Sequence, residues 1–446
     1  MAHDQDADVL PGLPTAPVDR WTGPLARFMH VEAAGGVVLL VATVIAVAAA
    51  NSVASEWFLK LWKTEVGFTF GSFSMMHKLQ HWINDGLMAV FFFVIGLEVK
   101  RELVLGELRD LRQAVLPTAA ALGGMIVPAG IYLAFQAGES GSAGWGIPMA
   151  TDIAFVVGCL AILGSRVPRS LRVMLLTLAI VDDIGAILVI AIGYTEHLDW
   201  AALGFGVAGI GVILLLARMG VRAIGVYTFV GALVWLGFHE SGVHATIAGV
   251  IVGLLTPATS WVSKGLLGDI TGGASQVFHG EGLEAGISEY QALRHIETAS
   301  REAISPLERL ETTLHPWVGF VIMPIFALAN AGVPFAVSDL GEPVSIAVVA
   351  GLLLGKPLGI VLLSWLAVKS GLARLPEGVS WGMIVAGGIL AGIGFTMAMF
   401  IAGLALKDPQ LLQTAKVGIF VGSGLSALIG LGMLFVLTNK VATPDP

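Results

Sequence analysis

Asp182 and Asp183 are consecutive carboxylates in the middle of an otherwise apolar run from Leu175 to Leu188. A charge at the centre of a bilayer costs at least about 2.5–3.5 kcal/mol, so two of them side by side call for a reason. They are poor helix glue, because like charges about 5 Å apart repel by about 3 kcal/mol at an effective dielectric near 20. Such a pair titrates as a unit. Carboxylate oxygens are also the ligands that hard cations prefer. A monovalent cation and protons would compete for these oxygens, and a site of that kind exposed alternately to each side of a membrane couples two ion flows. Asp152 and Lys356 are the other ionisable residues well inside apolar runs. Asp85, Glu98 and Glu32 lie nearer to run ends, and His244 and His315 near run starts. For any one of these residues, pairing that merely fixes helix packing is the alternative reading.

The elements that hold these residues are membrane spans. Of 446 residues, 56% are hydrophobic and only 13% charged, against about 25% charged in a soluble domain. That leaves too little polar surface to face water, so lipid is the solvent. The net charge of −8 and the lack of a basic stripe argue against nucleic acid, and the single Cys159 excludes a disulfide framework or a cysteine metal site. Windows of about 20 apolar residues, enough to cross a ~30 Å hydrocarbon core, fall at 31–50, 80–98, 114–135, 148–164, 171–194, 200–217, 222–238, 243–257, 315–336, 344–368, 381–403 and 414–437. The expected fold is therefore an all-α polytopic membrane protein of twelve transmembrane helices. The organisation is a polar, Pro-rich tail 1–30 that does not read as a signal peptide, helices one to eight over 31–257, a cytoplasmic loop 258–314, helices nine to twelve over 315–437, and a tail 438–446.

Loop charge orients these spans. Lys and Arg cluster after spans two, four, six, eight and ten: Lys100, Arg101, Arg109 and Arg112; Arg166, Arg169 and Arg172; Arg218 and Arg222; Lys264, Arg294, Arg301 and Arg309; Lys369 and Arg374. The loops after spans three, five, seven and nine hold Glu139, Glu196, Asp199, Glu240, Asp339 and Glu342 instead. By the positive-inside rule both termini are cytoplasmic, with Lys60, Lys63, Lys78 and Lys407 as exceptions.

Two spans carry helix-breaking signals. Span four contains Pro148, followed by the capping residues Thr151 and Asp152, and span eleven contains Gly387, Gly388, Gly392 and Gly394. Each broken helix places about +0.5 charge at one terminus and −0.5 at the other inside the membrane. Asp152 would offset facing N-termini; Lys356 would offset facing C-termini or pair with an aspartate. Spans four and eleven are the middles of spans three to five and ten to twelve, as inverted repeats require. Tight helix packing is the alternative for the glycines alone. Of the two long loops, 51–79 contains the alternating stretch Val66-Gly67-Phe68-Thr69-Phe70, which reads as a β-hairpin and dimer contact or as an ordinary surface loop. The other, 258–312, is polar and is expected to be partly disordered in its middle.

These stretches run in the order of a known family. Asn84-Asp85-Gly86, Gly96-Leu97-Glu98-Val99-Lys100-Arg101-Glu102-Leu103, Ala150-Thr151-Asp152-Ile153, Val181-Asp182-Asp183, Ser241-Gly242-Val243-His244-Ala245-Thr246, Leu314-His315-Pro316-Trp317, Gly355-Lys356-Pro357 and Gly392-Ile393-Gly394-Phe395-Thr396-Met397 together resemble the NhaA family of Na⁺/H⁺ antiporters. The resemblance implies spans four and eleven unwound and crossing, with the Na⁺ (or Li⁺) and proton site at Asp182 and Asp183 and with Thr151 and Asp152 beside it. It implies that Lys356 balances the assembly, by a salt bridge to Asp182 that opens when Na⁺ arrives. It links Glu98, Arg101, Glu102, His244, Arg309, Glu311 and His315 to pH activation, although on their own the two histidines read rather as hydrogen-bonded residues at helix ends. It further implies a homodimer in the bacterial inner membrane and no cofactor beyond the transported ions. The long loop before Glu311, Thr312 and Glu308 depart from the family's pattern. A sodium-coupled symporter lacks a second polar cluster for a solute, and a channel lacks a wide polar pore. An intramembrane aspartyl protease needs facing carboxylates, whereas consecutive ones diverge by about 100° on a helix. No enzyme activity is expected.

Overall fold

The computed structural model describes residues 32–71, 73–195, 198–221, 223–278 and 288–442. The tails 1–30 and 443–446, the middle of the long loop at 279–287, and the loop residues Glu196 and Arg222 lie outside the described residues.

The described chain is helical apart from one hairpin. In order the elements are α1 Glu32–Ala50, α2 Ser55–Trp62, β1 Glu65–Phe70, β2 Phe73–Lys78, α3 Leu79–Val104, α4 Leu111–Gln136, a 3₁₀ segment Ser140–Met149, α5 Ile153–Leu163, α6 Arg169–Gly193, α7 Trp200–Arg218, α8 Ile224–Ser241, α9 Thr246–Leu255, α10 Lys264–Phe278, α11 Glu289–Ala303, α12 Pro306–Asn330, α13 Pro343–Lys369, α14 Trp381–Ala391, α15 Phe395–Ala405 and α16 Pro409–Ala442. Seven helices are long and apolar enough to cross a membrane, or ten spans if each of three bent pairs counts as one. The bent pairs are α1 with α2 at 117°, the 3₁₀ segment with Ile153–Arg166 at 41°, and α14 with α15 at 48°.

Local chemistry sets the ends. Asp110 caps α4 by accepting from the Arg112 N–H, Asp199 caps α7 from Ala201 and Ala202, and Ser380 caps α14 from Met383. Gly242, at φ 82°, closes α8 in the left-handed conformation. The strands β1 and β2 pair antiparallel from Glu65 opposite Lys78 to Phe70 opposite Phe73, so the stretch at 51–79 forms a hairpin preceded by a short helix. Segment 258–314, expected as a loop, holds α10 and α11, and α12 starts at Pro306 rather than 315. Capping boxes at Ser288 with Gln291 and at Ser305 with Glu308 start α11 and α12. The segment that holds Pro148 is 3₁₀ and begins at Ser140, ahead of the expected 148, and the break follows it between Met149 and Ile153.

Without a hydrophobic drive between helices in lipid, small residues bring backbones together. The pair α4 and α13 meets at Gly123 and Gly359, where a Cβ on either residue would lie 2.0 Å from the other's carbonyl oxygen. The pair α3 and α9 meets at Gly96 and Gly253, where a Cβ on Gly96 would lie 2.6 Å from Val250 O and one on Gly253 2.5 Å from Phe93 O. Three helices also contain single π turns, at Trp82–Leu87, Val318–Ile322 and Gly351–Gly355. The last ends immediately before Lys356, and turns of this kind gather at functional sites.

The contact between α4 and α13 gives a direct expectation. Gly359→Ala should lower stability by about 1–3 kcal/mol, the usual cost of overpacking, read as a lower melting temperature in detergent. Gly130→Ala on α4, where a Cβ meets nothing within 4 Å, should leave it unchanged or slightly raised.

Candidate functional site

The two interrupted helices touch at their breaks. The Asp152 N–H donates to Ile393 O at 2.7 Å. Asp152 is the N-cap of α5, with Oδ1 accepting from the Phe155 N–H at 3.3 Å. Its Oδ2 accepts from the Thr396 N–H at 3.0 Å and from the Thr396 hydroxyl, in the first turn of α15. One carboxylate thus sits against two helix N-termini, where partial positive charge and unpaired N–H groups favour it.

The opposite ends are satisfied by a cation and a hydroxyl. Lys356 Nζ donates to Met149 O, the last carbonyl of the 3₁₀ segment, and to Asp182 Oδ2. The Thr151 hydroxyl lies 2.9 Å from Ala391 O at the end of α14 and 2.6 Å from Asp182 Oδ2. Lys356 Nζ thus touches both a helix-end carbonyl and an aspartate. Thr396 and Lys356 are fully buried, and Thr151, Asp152, Asp182 and Asp183 are each at most 2% exposed.

Asp182 and Asp183 enter from the middle of α6. Asp182 spends one oxygen on Lys356 and Thr151. Asp182 Oδ1 and Asp183 Oδ1 are buried without a hydrogen-bond partner among the described residues. Asp183 also lies in the field of Asp182, Glu98 and Asp152, with Lys356 as the opposing cation. Unpaired buried acceptors are costly, so two neighbouring ones define where a proton or a cation gains most. Carboxylate oxygens are the ligands that hard cations prefer.

The remaining sequence candidates divide. The end of α3 and the start of α12 are joined by Arg101, which pairs with Glu311 and lies 3.6 Å from Glu102, and by His315, 3.8 Å from Glu98. His244 is not among them: its Nε2 is 3.1 Å from Tyr194 O, just past the far end of α6. Arg309 lines a cavity of about 930 Å³ bordered by α3, α7, α8, α9 and α12. Two buried polar residues escaped the sequence reading. Thr396 was legible only as part of a motif, although a Thr just after a Gly-rich break is a capping signal. Lys416, whose Nζ donates to Asn330 O at 2.8 Å, lies near the polar start of its span.

The family profile described as Na⁺/H⁺ antiporter 1 matches residues 26–434. The chain is 56% identical over 422 residues to the Na(+)/H(+) antiporter NhaA of Rhodopirellula baltica, covering 95% of this chain and 96% of that one. It is 51% identical over 432 residues to the NhaA of Rhizobium meliloti, covering 97% and 99%. It is 49% identical over 445 residues to NhaA 3 of Acidiphilium cryptum, covering 100% and 97%. The chain belongs to the NhaA family of Na⁺/H⁺ antiporters. NhaA proteins are integral membrane transporters and not enzymes, in keeping with the apolar helices described above.

The buried pair at the centre of this NhaA chain sets a stability test. Lys356→Met strands Asp182 and Met149 O, and breaking one partner of a buried pair costs about 3–5 kcal/mol. Adding Asp182→Asn to the same chain should recover part of that loss. Thermal unfolding of the four-member cycle in detergent measures it; a Lys356→Met chain as stable as the parent would mean that the pair carries no net charge interaction.

Proposed function

We propose that this chain exchanges cytoplasmic Na⁺ (or Li⁺) for periplasmic protons at Asp182 and Asp183, by alternating access. The observation that carries the reading is the pair of carboxylate oxygens, one from each aspartate, that have no hydrogen-bond partner among the described residues and are buried beside the point where two interrupted helices touch. Protons relieve the repulsion by covalent bonding and Na⁺ relieves it by coordination. Both cannot hold the same oxygens together, so occupancy is exclusive and transport is exchange.

In this reading the twelve spans are completed by α8 and the short α9, both termini are cytoplasmic, and the 3₁₀–α5 and α14–α15 pairs cross near the midplane as the centres of inverted repeats. Asp152 and Lys356 keep the helix ends neutralised while the site changes access. Sodium takes the place of Lys356 at Asp182, so that the salt bridge opens on loading. The site needs no cofactor beyond the transported ions. The Glu98, Arg101, Glu102, Glu311 and His315 group couples the cytoplasmic ends of α3 and α12 to pH, and the β1–β2 hairpin is the contact of a homodimer in the bacterial inner membrane.

If two protons leave for each Na⁺ bound, one net positive charge moves inward per cycle. At about 100 mV, inside negative, that contributes about 2.3 kcal/mol per turnover, and sodium is expelled even without a pH gradient. Proteoliposome transport that ignores an imposed potential would reject this stoichiometry.

Two measurements test the site itself. Asp183→Asn should abolish Na⁺-driven pH change in inverted membrane vesicles, and retained full exchange would remove the assignment. Competition also fixes a sign: lowering the pH adds protons to the site and weakens Na⁺, by up to about tenfold in apparent affinity per pH unit for each proton displaced. Scintillation-proximity binding of ²²Na⁺ across a pH series reads this directly, and an affinity indifferent to pH contradicts it.

A further inference from the structure

Where β2 runs into α3, three histidines converge from two parts of the chain. His77 lies on β2, His81 one turn into α3, and His239 on the last turn of α8. Each offers one ring nitrogen, and the three nitrogens lie within 4.8 Å of one another. Asp85 adjoins two of the three: its Oδ2 is 3.4 Å from His81 Nε2 and 3.6 Å from His239 Nδ1. This cluster is separate from the aspartate site, and the transport reading does not use it.

We propose that His77, His81 and His239, with Asp85, form a binding site for a divalent transition-metal ion of the zinc class. Three imidazoles and a carboxylate are a donor set suited to zinc, and too nitrogen-rich for magnesium or calcium. In a tetrahedral site with 2.0–2.1 Å bonds, neighbouring ligand atoms are about 3.3–3.4 Å apart. The two contacts of Asp85 Oδ2 are already close to that edge length. Even at the outer limit of 4.8 Å, each histidine nitrogen is about 2.8 Å from a common centre, so a shift of under about 1 Å per ring reaches bonding distance.

Two further observations point inward to a ligand. His81 Nε2 is buried with no hydrogen-bond partner among the described residues, although its side chain is 40% exposed, which leaves an approach from solvent. Tilted and edge-on ring contacts among the histidines account for the packing of the faces but give that nitrogen no hydrogen bond. The rings are also held from behind: Trp235 stacks on His239 at 5.3 Å and donates its indole N–H to Asp85 O at 3.3 Å. Such outer contacts fix the orientation of metal-binding imidazoles. A bound ion would tie the second strand of the hairpin to the end of α8.

The test is a titration of the full-length protein, purified in detergent without a polyhistidine tag, with zinc chloride. Calorimetry and the fluorescence of the adjacent tryptophans report binding, and magnesium chloride serves as the control. One zinc per chain is expected, with no competition from magnesium. His81→Asn and His239→Asn should each weaken binding by about tenfold or more, while the metal-free melting temperature and Na⁺/H⁺ exchange stay at parent values. No saturable uptake, or parental affinity in both variants, overturns the proposal. Should a variant fail to fold, Cu²⁺ bound to the parent is read by electron paramagnetic resonance: coupling to three imidazole nitrogens supports the site, and fewer overturn it.

Discussion

A helix interrupted inside an apolar layer leaves carbonyl and N–H groups where neither water nor a following turn can satisfy them. Everything at the centre of this molecule answers that constraint. The N-termini of α5 and α15 share the carboxylate of Asp152, and the ends of the 3₁₀ segment and α14 share Lys356 and Thr151. The backbone contact from Asp152 N–H to Ile393 O then joins the two breaks. The interrupted helices are mutually dependent: each supplies part of what the other lacks.

Position follows from how closely the surrounding helices approach. The glycine contacts between α4 and α13 let the α13 backbone sit against α4 with no side chain between, and the π turn at Gly351–Gly355 comes directly before Lys356. Pro357, which has no N–H, follows it. The lysine is therefore carried by a backbone fixed on one side by packing and altered in pitch on the other. A flexible four-carbon side chain reaches two acceptors from different elements because its stem has little freedom left to lose.

The parts of this site visible in the sequence were those that break a rule locally. Asp152, Asp182, Asp183 and Lys356 stand out because charge is expensive in an apolar run, and Pro148 and Gly392 because they weaken a helix at a fixed position. Thr396 obeyed every local rule, since threonine is ordinary in a span, and only the fold brings it to Asp152. The helices α10 and α11 had readable starts at Ser288 with Gln291 and near Ser263, but Gly272 and Gly273 in α10 gave the segment a loop-like composition. His77 and His81 are separated from His239 by the whole of α4 to α7, so no spacing rule joins the three. Tyr194 draws His244 away from the other candidates for the same reason: a backbone acceptor carries no sequence signature.

The distribution of partners within the aspartate pair also sets the two carboxylates apart. Asp182 Oδ2 is already held by an ammonium and a hydroxyl, so any ion binding there must first displace something or coordinate through the remaining oxygen. Among the described residues Asp183 has no such commitment, and it lies among carboxylates. Charge added to or removed from Asp183 is felt by Asp182 and by Asp152, and through them by both helix breaks. In the proposed exchange, a single ion at this point would act on the groups that neutralise four helix ends at once. If the two aspartates were equivalent, with matched hydrogen bonds to each, occupancy could change without disturbing the breaks; under the proposed exchange, their inequality links binding to the backbone.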